Sequence, residues 1–260
     1  MMSFDIIGSK EKAVAIVEIP EGKDEVEIAE EIMRKHKNVK SVLKKASARK
    51  GTFRTRKLEL IKGEKNTEVL HIESGCKFKL DPRKVYFSPR EGTERLRIAS
   101  TVKPHETILV MFAGVGPYPI IITKKNPSIN KVIAIELNPH AYRYMIENIR
   151  INKLSEKIIP ILGDVREKCR DWFNKCDRVV MPLPHEAEKF LNIGVKCLKR
   201  KGFIHLYFIE KEEKVDEKVK ELISRIKRKV SYKVRKVLPY APRVNKYCLD
   251  LALNTQPRLE

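Results

Sequence analysis

The sequence is poor in the features that mark membrane-spanning, secreted and zinc-binding proteins. It has no run of eighteen apolar residues, so no membrane span is predicted. Its first residues lack a positively charged segment leading into an apolar one, so we expect no secretory signal. The cysteines are odd in number and lack CxxC spacing; they are Cys76, Cys169, Cys176, Cys197 and Cys248. We therefore expect a reduced, cytoplasmic protein without a bound metal.

Acidic residues are too few to balance the basic ones. The chain has 55 lysines and arginines against 34 aspartates and glutamates, a formal net charge of +21. Such an excess attracts polyanions, and it predicts a nucleic-acid partner. The alternative is the charged surface of a thermophile's protein, which the near absence of glutamine (only Gln256) also fits. That alternative explains the number of charges but not their imbalance.

The rest of the chain is organised around one stretch that reads as a strand, a glycine turn and a helix. Residues 108–112 form a continuous apolar run, typical of a parallel strand covered on both faces. Gly114 and Gly116 allow a sharp turn against which a ligand can lie on bare backbone, and Pro117 suits the first turn of a helix. Taken alone, this pattern also fits an ordinary tight turn.

Three further apolar runs favour a ligand site over a chance turn. The second run, residues 131–136, ends in Glu136, twenty residues after Gly116, where a doubly wound fold places a carboxylate on ribose hydroxyls. The third and fourth are followed by Asp164 and by Pro182. Because open α/β sheets bind ligands at the carboxyl ends of their strands, the sequence predicts a nucleotide-type cofactor site there.

The first part of the chain has a different pattern. Short strands and one amphipathic helix, residues 24–36, predict a small α+β module over residues 1–80, followed by a catalytic domain over 81–260. The densest basic run lies within the module. We expect it to bind RNA, with a mobile charged loop as the alternative. Its residues are Lys44, Lys45, Arg49, Lys50, Arg54 and Arg56.

The pattern from residue 184 onwards predicts the last elements of the sheet. We expect helices over residues 184–198 and 212–227, with a strand between them. Two final strands follow with no helix between them, which indicates a reversed last strand, as in class I methyltransferases. The predicted fold is therefore an α/β, Rossmann-type, class I methyltransferase-like sheet with a small N-terminal α+β module.

Several segments together resemble a known family. They are residues 112–117, 136–139 and 163–166, and the linker segment 86–90 with Glu94 and Arg95. By itself, the linker would fit surface ion pairing. In combination, the segments resemble archaeal tRNA (guanine-N1) methyltransferases, which modify the purine just 3′ of the anticodon. They resemble equally the related wybutosine-pathway enzymes, which transfer a 3-amino-3-carboxypropyl group.

This resemblance implies S-adenosylmethionine as cofactor and the anticodon arm of tRNA as partner, and we expect a monomer. It implies Glu94 as general base, with Tyr86 and Arg90 as further catalytic candidates; His185 is another residue that could grip the methionine carboxylate. The residues implied to bind the cofactor are Ser88, Arg95, Ala113, Gly114, Val115, Gly116, Glu136, Leu137, Asp164, Val165 and Pro182.

Departures from the methyltransferase pattern decide the expected reaction. Pro182 stands where those enzymes have asparagine, and proline has no side-chain amide to position guanine. Val110 replaces an aspartate of many relatives, so we expect one cofactor contact to be missing. We also expect the chain to lack the extra small N-terminal domain of those methyltransferases, which, like Pro182, favours the wybutosine-pathway transferase. We expect transfer of the aminocarboxypropyl group to C7 of 4-demethylwyosine in tRNA(Phe), with release of methylthioadenosine. The alternatives are a guanine-N1 methyltransferase and a tRNA-binding scaffold without turnover.

Overall fold

A computed structural model describes residues 4–47 and 56–254 of the chain. The first sheet has four strands in the order β1-β2-β3-β4. Helix α1 connects β2 to β3, which are parallel; it is capped by Asp24, whose side chain accepts from the amide of Val26 at 2.7 Å. Buried Ala29 and Ile32 face the sheet. These elements are β1 (Phe4–Gly8), β2 (Ala13–Val17), α1 (Glu25–Lys35), β3 (Val39–Lys45) and β4 (Leu58–Gly63).

A hairpin of β5 (Val69–Glu73) and β6 (Cys76–Leu80) follows, turning at Ser74 and Gly75, both with positive φ. Two asparagines fasten it to a helix of the larger sheet. The amide of Lys79 donates to Asn148 Oδ1 at 2.7 Å, and that of Lys77 donates to Asn152 Oδ1 at 2.9 Å. The hairpin therefore packs on the second half of the chain.

The large sheet has seven strands in the order β12-β13-β11-β10-β7-β8-β9. β7 to β11 are parallel, whereas β13 is antiparallel to both β11 and β12. The predicted class I methyltransferase-like fold, including its reversed last strand, is confirmed. The strands are β7 (Thr107–Met111), β8 (Lys131–Glu136), β9 (Ile158–Leu162), β10 (Cys176–Met181), β11 (Leu198–Lys211), β12 (Val230–Ala241) and β13 (Val244–Leu253).

The helices of this sheet are α2 (Gly92–Ser100), α3 (Pro117–Lys125), α4 (Pro139–Ile151), α5 (Val165–Lys168), α6 (Leu191–Cys197) and α7 (Val215–Ser224). The predicted helix over residues 184–198 is shorter than expected, because its first part is a 3₁₀ turn, Ala187–Phe190. Strand β1 was not predicted, since its short, half-buried sequence has only a weak apolar pattern. No helix in the described ranges is long and apolar enough to cross a membrane.

One apolar cluster joins the two parts of the chain. Val14 and Leu43 of the first sheet pack in the same cluster as Phe78 of the hairpin and Ile98 and Val110 of the second half. A separate cluster covers the opposite face of the large sheet. The first sheet is therefore held against the second half by buried apolar contact.

Buried charges link α2 to the strands. Arg178 donates to both oxygens of Glu106, at 2.7 and 2.9 Å, and its Nη1 lies 2.5 Å from His205 Nε2. His205 Nδ1 lies 2.6 Å from Asp250, which also accepts from Arg97 at 2.7 Å. Because Arg178 can only donate, Nε2 must accept, so the ring is neutral with its proton on Nδ1.

This network includes a group of metal-ligand type. His205, Cys248 and Asp250 bring ligand atoms within 4.8 Å of one another. However, Arg97 hydrogen-bonds to both Cys248 and Asp250, and Arg178 to His205. Two guanidinium charges at this position disfavour a bound cation.

The network predicts a specific pH dependence of stability. Burial lowers the pKa of His205 and Arg178 adds to this effect, although Asp250 opposes it. An unfolded histidine, with a pKa of about 6.5, binds a proton that the buried ring rejects. The stabilising contribution of the neutral His205 ring is therefore fully present above the unfolded pKa of about 6.5, and it decreases as the pH falls below that value. We expect His205 to account for a loss of up to about 2 kcal/mol in the free energy of unfolding between pH 8 and 5.

Urea unfolding of the wild type and of His205→Gln across this pH range measures the effect. The variant should lose less stability on acidification than the wild type. Equal slopes for the two proteins would contradict the assignment.

Candidate functional site

A cavity of about 510 Å³ lies where the parallel strands of the large sheet end. This size suits a ligand as large as a nucleoside with a side chain. The loops after β7, β8, β9 and β10 form one side. The linker segment before α2, one end of the strands of the first sheet and the β12–β13 hairpin complete it. The predicted position of the site, at the carboxyl ends of the strands, agrees with this cavity.

The turn after β7 brings backbone to the cavity. Gly114 has a φ of 59°, and, apart from its two chain neighbours, a Cβ added there would meet no atom of the described residues within 4 Å. Gly116, at φ 90°, is different, because a Cβ would press on Ile120 and Met145 at 3.1 Å. Phe112 also has a positive φ, 57°, and its ring packs edge-on against Phe190 at 5.1 Å. This strained non-glycine residue lines the cavity, and no local pattern indicated its conformation.

Glu136 joins the ends of β7 and β8. Its Oε2 accepts from the amide of Gly114, and its Oε1 accepts from the amide of Asn138, both at 2.7 Å. Burial raises the pKa of Glu136, against the pull of these backbone amides. A carboxylate has about four lone-pair sites, so acceptor capacity remains for hydroxyl groups of a ligand in the cavity.

Three more residues predicted from the sequence, Leu137, Asp164 and Val165, line the cavity. Asp164 caps α5 by accepting from the amide of Arg166 at 2.8 Å, and the Arg166 guanidinium lowers the pKa of Asp164. Val165 is buried beside it, and Leu137 is partly exposed across the cavity. Two apolar side chains and one carboxylate therefore border this part of the cavity.

The structure brings most of the predicted site residues together. Those that line the cavity are Tyr86, Ser88, Arg90, Gly114, Glu136, Leu137, Asp164, Val165, Pro182 and His185. Arg90 is also held by Asp5 of β1, with Nε 2.5 Å from Oδ1. Ala113, Val115 and Gly116 shape the turn but do not line the cavity, because the side chains of Ala113 and Val115 pack into the core.

Arg95 and Glu94 are placed differently from the prediction. Arg95 is buried beneath the cavity wall, where it pairs with Glu73 and donates to the carbonyl of Ser88 at 2.9 Å. It therefore supports the wall from behind. Glu94 is also buried and does not line the cavity. Its oxygens accept from Arg97 at 2.7 Å and from Tyr207 at 2.5 Å.

The basic run is only partly described, since Arg49, Lys50 and Arg54 lie outside the described residues. Lys44 pairs with Glu25 at 2.6 Å, so its charge is largely compensated. Lys45 pairs with Glu18 at 3.3 Å, and both Lys45 and Arg56 line the cavity. The first sheet thus contributes basic residues to the wall of the site.

Some lining residues carried no sequence signal, among them Asp5, Glu91, Tyr240 and Lys246. Lys246 reaches the site only because β13 pairs beside β11. No local spacing in the sequence reports such a long-range contact.

The chain is also similar to known proteins in sequence and in structure. Residues 69–235 match the TRM5/TYW2 methyltransferase domain, and residues 1–67 match the TYW2 N-terminal domain. The chain is 40% identical over 259 residues to the tRNA (guanine(37)-N(1))-methyltransferase Trm5b of Pyrococcus abyssi, covering 97% of this chain and 75% of the relative. It is 37% identical to the tRNA(Phe) (4-demethylwyosine(37)-C(7)) aminocarboxypropyltransferase of Methanocaldococcus jannaschii, covering 89% and 91%.

A third relative is the tRNA 4-demethylwyosine(37)-methyltransferase Taw21 of Saccharolobus solfataricus, 36% identical, covering 96% of this chain and 94% of the relative. Among solved structures, aTrm5 in complex with tRNALeu superposes with a TM-score of 0.85 at 38% identity, over 98% of this chain and 72% of the other. M. jannaschii TYW2 in complex with AdoMet gives 0.74 at 30% identity, over 98% and 100%. The chain belongs to the TRM5/TYW2 methyltransferase family.

Proposed function

We propose that the protein binds S-adenosylmethionine in this cavity and uses it to alkylate a purine-derived base of tRNA. The observation that carries the proposal is the carboxylate of Glu136, held at 2.7 Å by the amide of Gly114 across the ends of β7 and β8. Glu136 lines the cavity beside Gly114, whose backbone has no side chain that would keep a ligand away. The family membership and the AdoMet complex of M. jannaschii TYW2 support it.

The residues present fit this cofactor. Glu136 would accept from the ribose hydroxyls, and Leu137 and Val165 would border the adenine, with Asp164 beside them. The open space at Gly114 would leave room for the cofactor, and Pro182 would border its methionine end. When bound, S-adenosylmethionine supplies a carbon made electrophilic by the neighbouring sulfonium.

We propose as the particular reaction the transfer of the 3-amino-3-carboxypropyl group to C7 of 4-demethylwyosine in tRNA(Phe). Pro182 supports it, because proline lacks the amide that would position guanine. The match of residues 1–67 to the TYW2 N-terminal domain and the M. jannaschii aminocarboxypropyltransferase also support it. The alternative is methyl transfer to guanine N1 at the same nucleotide, supported by the 40% identity to Trm5b.

The choice between these reactions depends on orientation. Transfer requires the acceptor atom to lie about 3–3.5 Å from one sulfonium carbon, in line with the bond that breaks. The residues bordering the methionine end of the cavity decide which carbon is presented. We propose Tyr86, Arg90, His185 and Pro182 for this role, since all four line the cavity.

Gly114→Ala tests cofactor binding. The substitution places a methyl group where, chain neighbours apart, the described part of the protein has no atom within 4 Å, so the clash falls on the bound ligand. We expect cofactor affinity to fall at least about tenfold by isothermal titration, one tenfold step being 1.4 kcal/mol. The backbone cost at φ 59° is about 1–2 kcal/mol of stability.

Gly22→Ala is the matched control. Gly22 has a φ of 76° and equally open space, but it lies outside the cavity. It should show a similar loss of stability with normal cofactor affinity. If both variants bind the cofactor equally well, the cofactor does not lie against Gly114.

The two basic residues of the cavity wall, Lys45 and Arg56, predict the effect of a second substitution. Lys45→Ala with Arg56→Ala removes two cations from the cavity wall, so fewer counterions are released when tRNA binds. We expect weaker tRNA binding, with a salt slope smaller by about 1.5. Lys44→Ala, which removes a lysine that does not line the cavity, should change the slope less. An unchanged slope in the double variant would place the RNA elsewhere.

A paired-label experiment decides the reaction. With tRNA carrying 4-demethylwyosine, label in the methionine backbone of the cofactor should enter the RNA, and methylthioadenosine should be released. Methyl label should stay in the small product. Methyl label in the RNA, with release of S-adenosylhomocysteine, would instead establish methyl transfer.

A further inference from the structure

Two segments of the second half of the chain contain basic residues and no acidic ones. Residues 222–249 include nine lysines and arginines without a single aspartate or glutamate. Residues 196–201 include four basic residues, again without an acid. The cavity accounts for only one of these cations, Lys246. The remaining positive charge therefore needs an explanation other than the cavity.

The two segments meet where β11 and β12 begin. Arg228 Nη2 donates to the carbonyl of Lys199 at 3.1 Å and also to that of Arg200. Leu253, the last residue of β13, pairs with both Gly202 and Val230. Because these residues follow Lys201 and Lys229, the two lysines flank the end of β13, about 10 Å apart across two strand spacings. We call this surface the amino-end patch; its residues are Lys196, Lys199, Arg200, Lys201, Arg228 and Lys229.

Most of the charge of the amino-end patch is uncompensated. Lys199 pairs with Asp177 at 2.8 Å, but none of the other five residues forms an ion pair within the part of the chain that the structure describes. Burial lowers the pKa of Arg228, and no carboxylate opposes this effect. Arg166, by contrast, has its pKa raised by its hydrogen-bonded partner Asp164. The patch thus concentrates positive charge that has no counter-ion from the described residues.

The amino-end patch is separate from the cavity. None of its residues lines the cavity. Strands β11 and β12 run from the patch to the cavity, where Ile209 and Leu238 lie in the wall. The eight or nine residues between these points span about 25–30 Å at about 3.3 Å per residue. The two surfaces therefore lie at opposite ends of the large sheet.

The composition of the amino-end patch fits a phosphate backbone better than a protein or a membrane. Lysine and arginine bind phosphates directly, as point charges and as planar forks. Lysine is depleted at the centre of protein–protein interfaces. An interfacial membrane helix needs an apolar face, whereas the apolar residue within this basic run, Leu198, is buried. Charge complementarity therefore favours nucleic acid.

We propose that the amino-end patch binds the phosphate backbone of a second RNA molecule while the cavity holds the tRNA. Contacts to phosphates carry no sequence information, so this surface accepts RNA without regard to sequence. The second molecule follows from the position of the patch, since RNA that places a base in the cavity lies at the other end of the sheet. The proposal goes beyond the proposed function and does not depend on which base the cavity takes.

The test uses Arg200→Ala, Lys201→Ala and Lys229→Ala combined in the full chain. These side chains form no ion pair within the described residues, so the triple variant should fold normally. A fluorescent RNA hairpin that lacks the target base is added to protein already carrying one equivalent of tRNA. We expect the wild type to bind the hairpin in a ternary complex. The variant should bind it at least about tenfold more weakly, with a salt slope smaller by about 2.5 for the three lost cations.

A matched control removes the same charge elsewhere. Lys79→Ala, Lys218→Ala and Lys236→Ala together also remove three cations, but each of these lysines pairs with a glutamate. This variant should keep the hairpin affinity of the wild type within about twofold. Equal weakening in both triple variants would overturn the proposal, because net charge alone would then explain RNA binding.

Two further outcomes would also overturn the proposal. If the hairpin displaces tRNA one for one, the protein has a single RNA surface. If the wild type binds phosphatidylserine vesicles but not the hairpin, the patch is a membrane surface. In the patch variant, cofactor affinity and tRNA turnover should stay within about twofold of the wild type. Failure of the proposed function would instead appear as a wild type that does not alkylate tRNA, whatever the hairpin does.

Discussion

Asp250 is the residue on which the arrangement of the second half of the chain depends. It accepts from Arg97 of α2 at 2.7 Å and from Arg235 of β12 at 3.1 Å, and His205 of β11 lies 2.6 Å away. Burial alone would raise the pKa of Asp250, but His205 and Arg97 hold it well below its usual range. One carboxylate on β13 therefore ties a helix and two neighbouring strands together.

This network of charged side chains around Asp250 stabilises the fold only while every partner is present. Removing one partner from a buried ion pair typically costs about 3–5 kcal/mol, because the other charge is left without compensation. That is a large part of the net stability of a domain, about 5–15 kcal/mol. The same contacts fix α2, and α2 carries Arg95, which holds the Ser88 carbonyl in the cavity wall at 2.9 Å. The position of the linker segment thus follows from the buried charges behind it.

Sequence reasoning predicted residues that line this cavity because their signals are local. An apolar strand followed by glycine or by an acidic residue indicates by itself a ligand-binding edge of the sheet. Parallel strands then bring their carboxyl ends together at that edge. Glu136 and Asp164 were found in this way, and both line the cavity. By contrast, whether Glu94 or Glu91 faces the cavity depends on Arg97, Tyr207 and Lys246, which no local pattern relates to the linker. Long-range pairing of charged side chains leaves no periodicity in the sequence.

The two candidate reactions make different demands on the same cavity. Either cofactor carbon is already activated by the sulfonium, so the protein contributes the alignment of acceptor and donor and a place for the departing proton. The proton acceptor can be common to both reactions, because N1 of guanine and C7 of 4-demethylwyosine both lose a proton. The alignment cannot be common, since the two carbons lie on different branches of the sulfonium. Within one family, the linker and the Pro182 loop can therefore diverge to change the transferred group, while Glu136 and the buried network behind the wall stay the same.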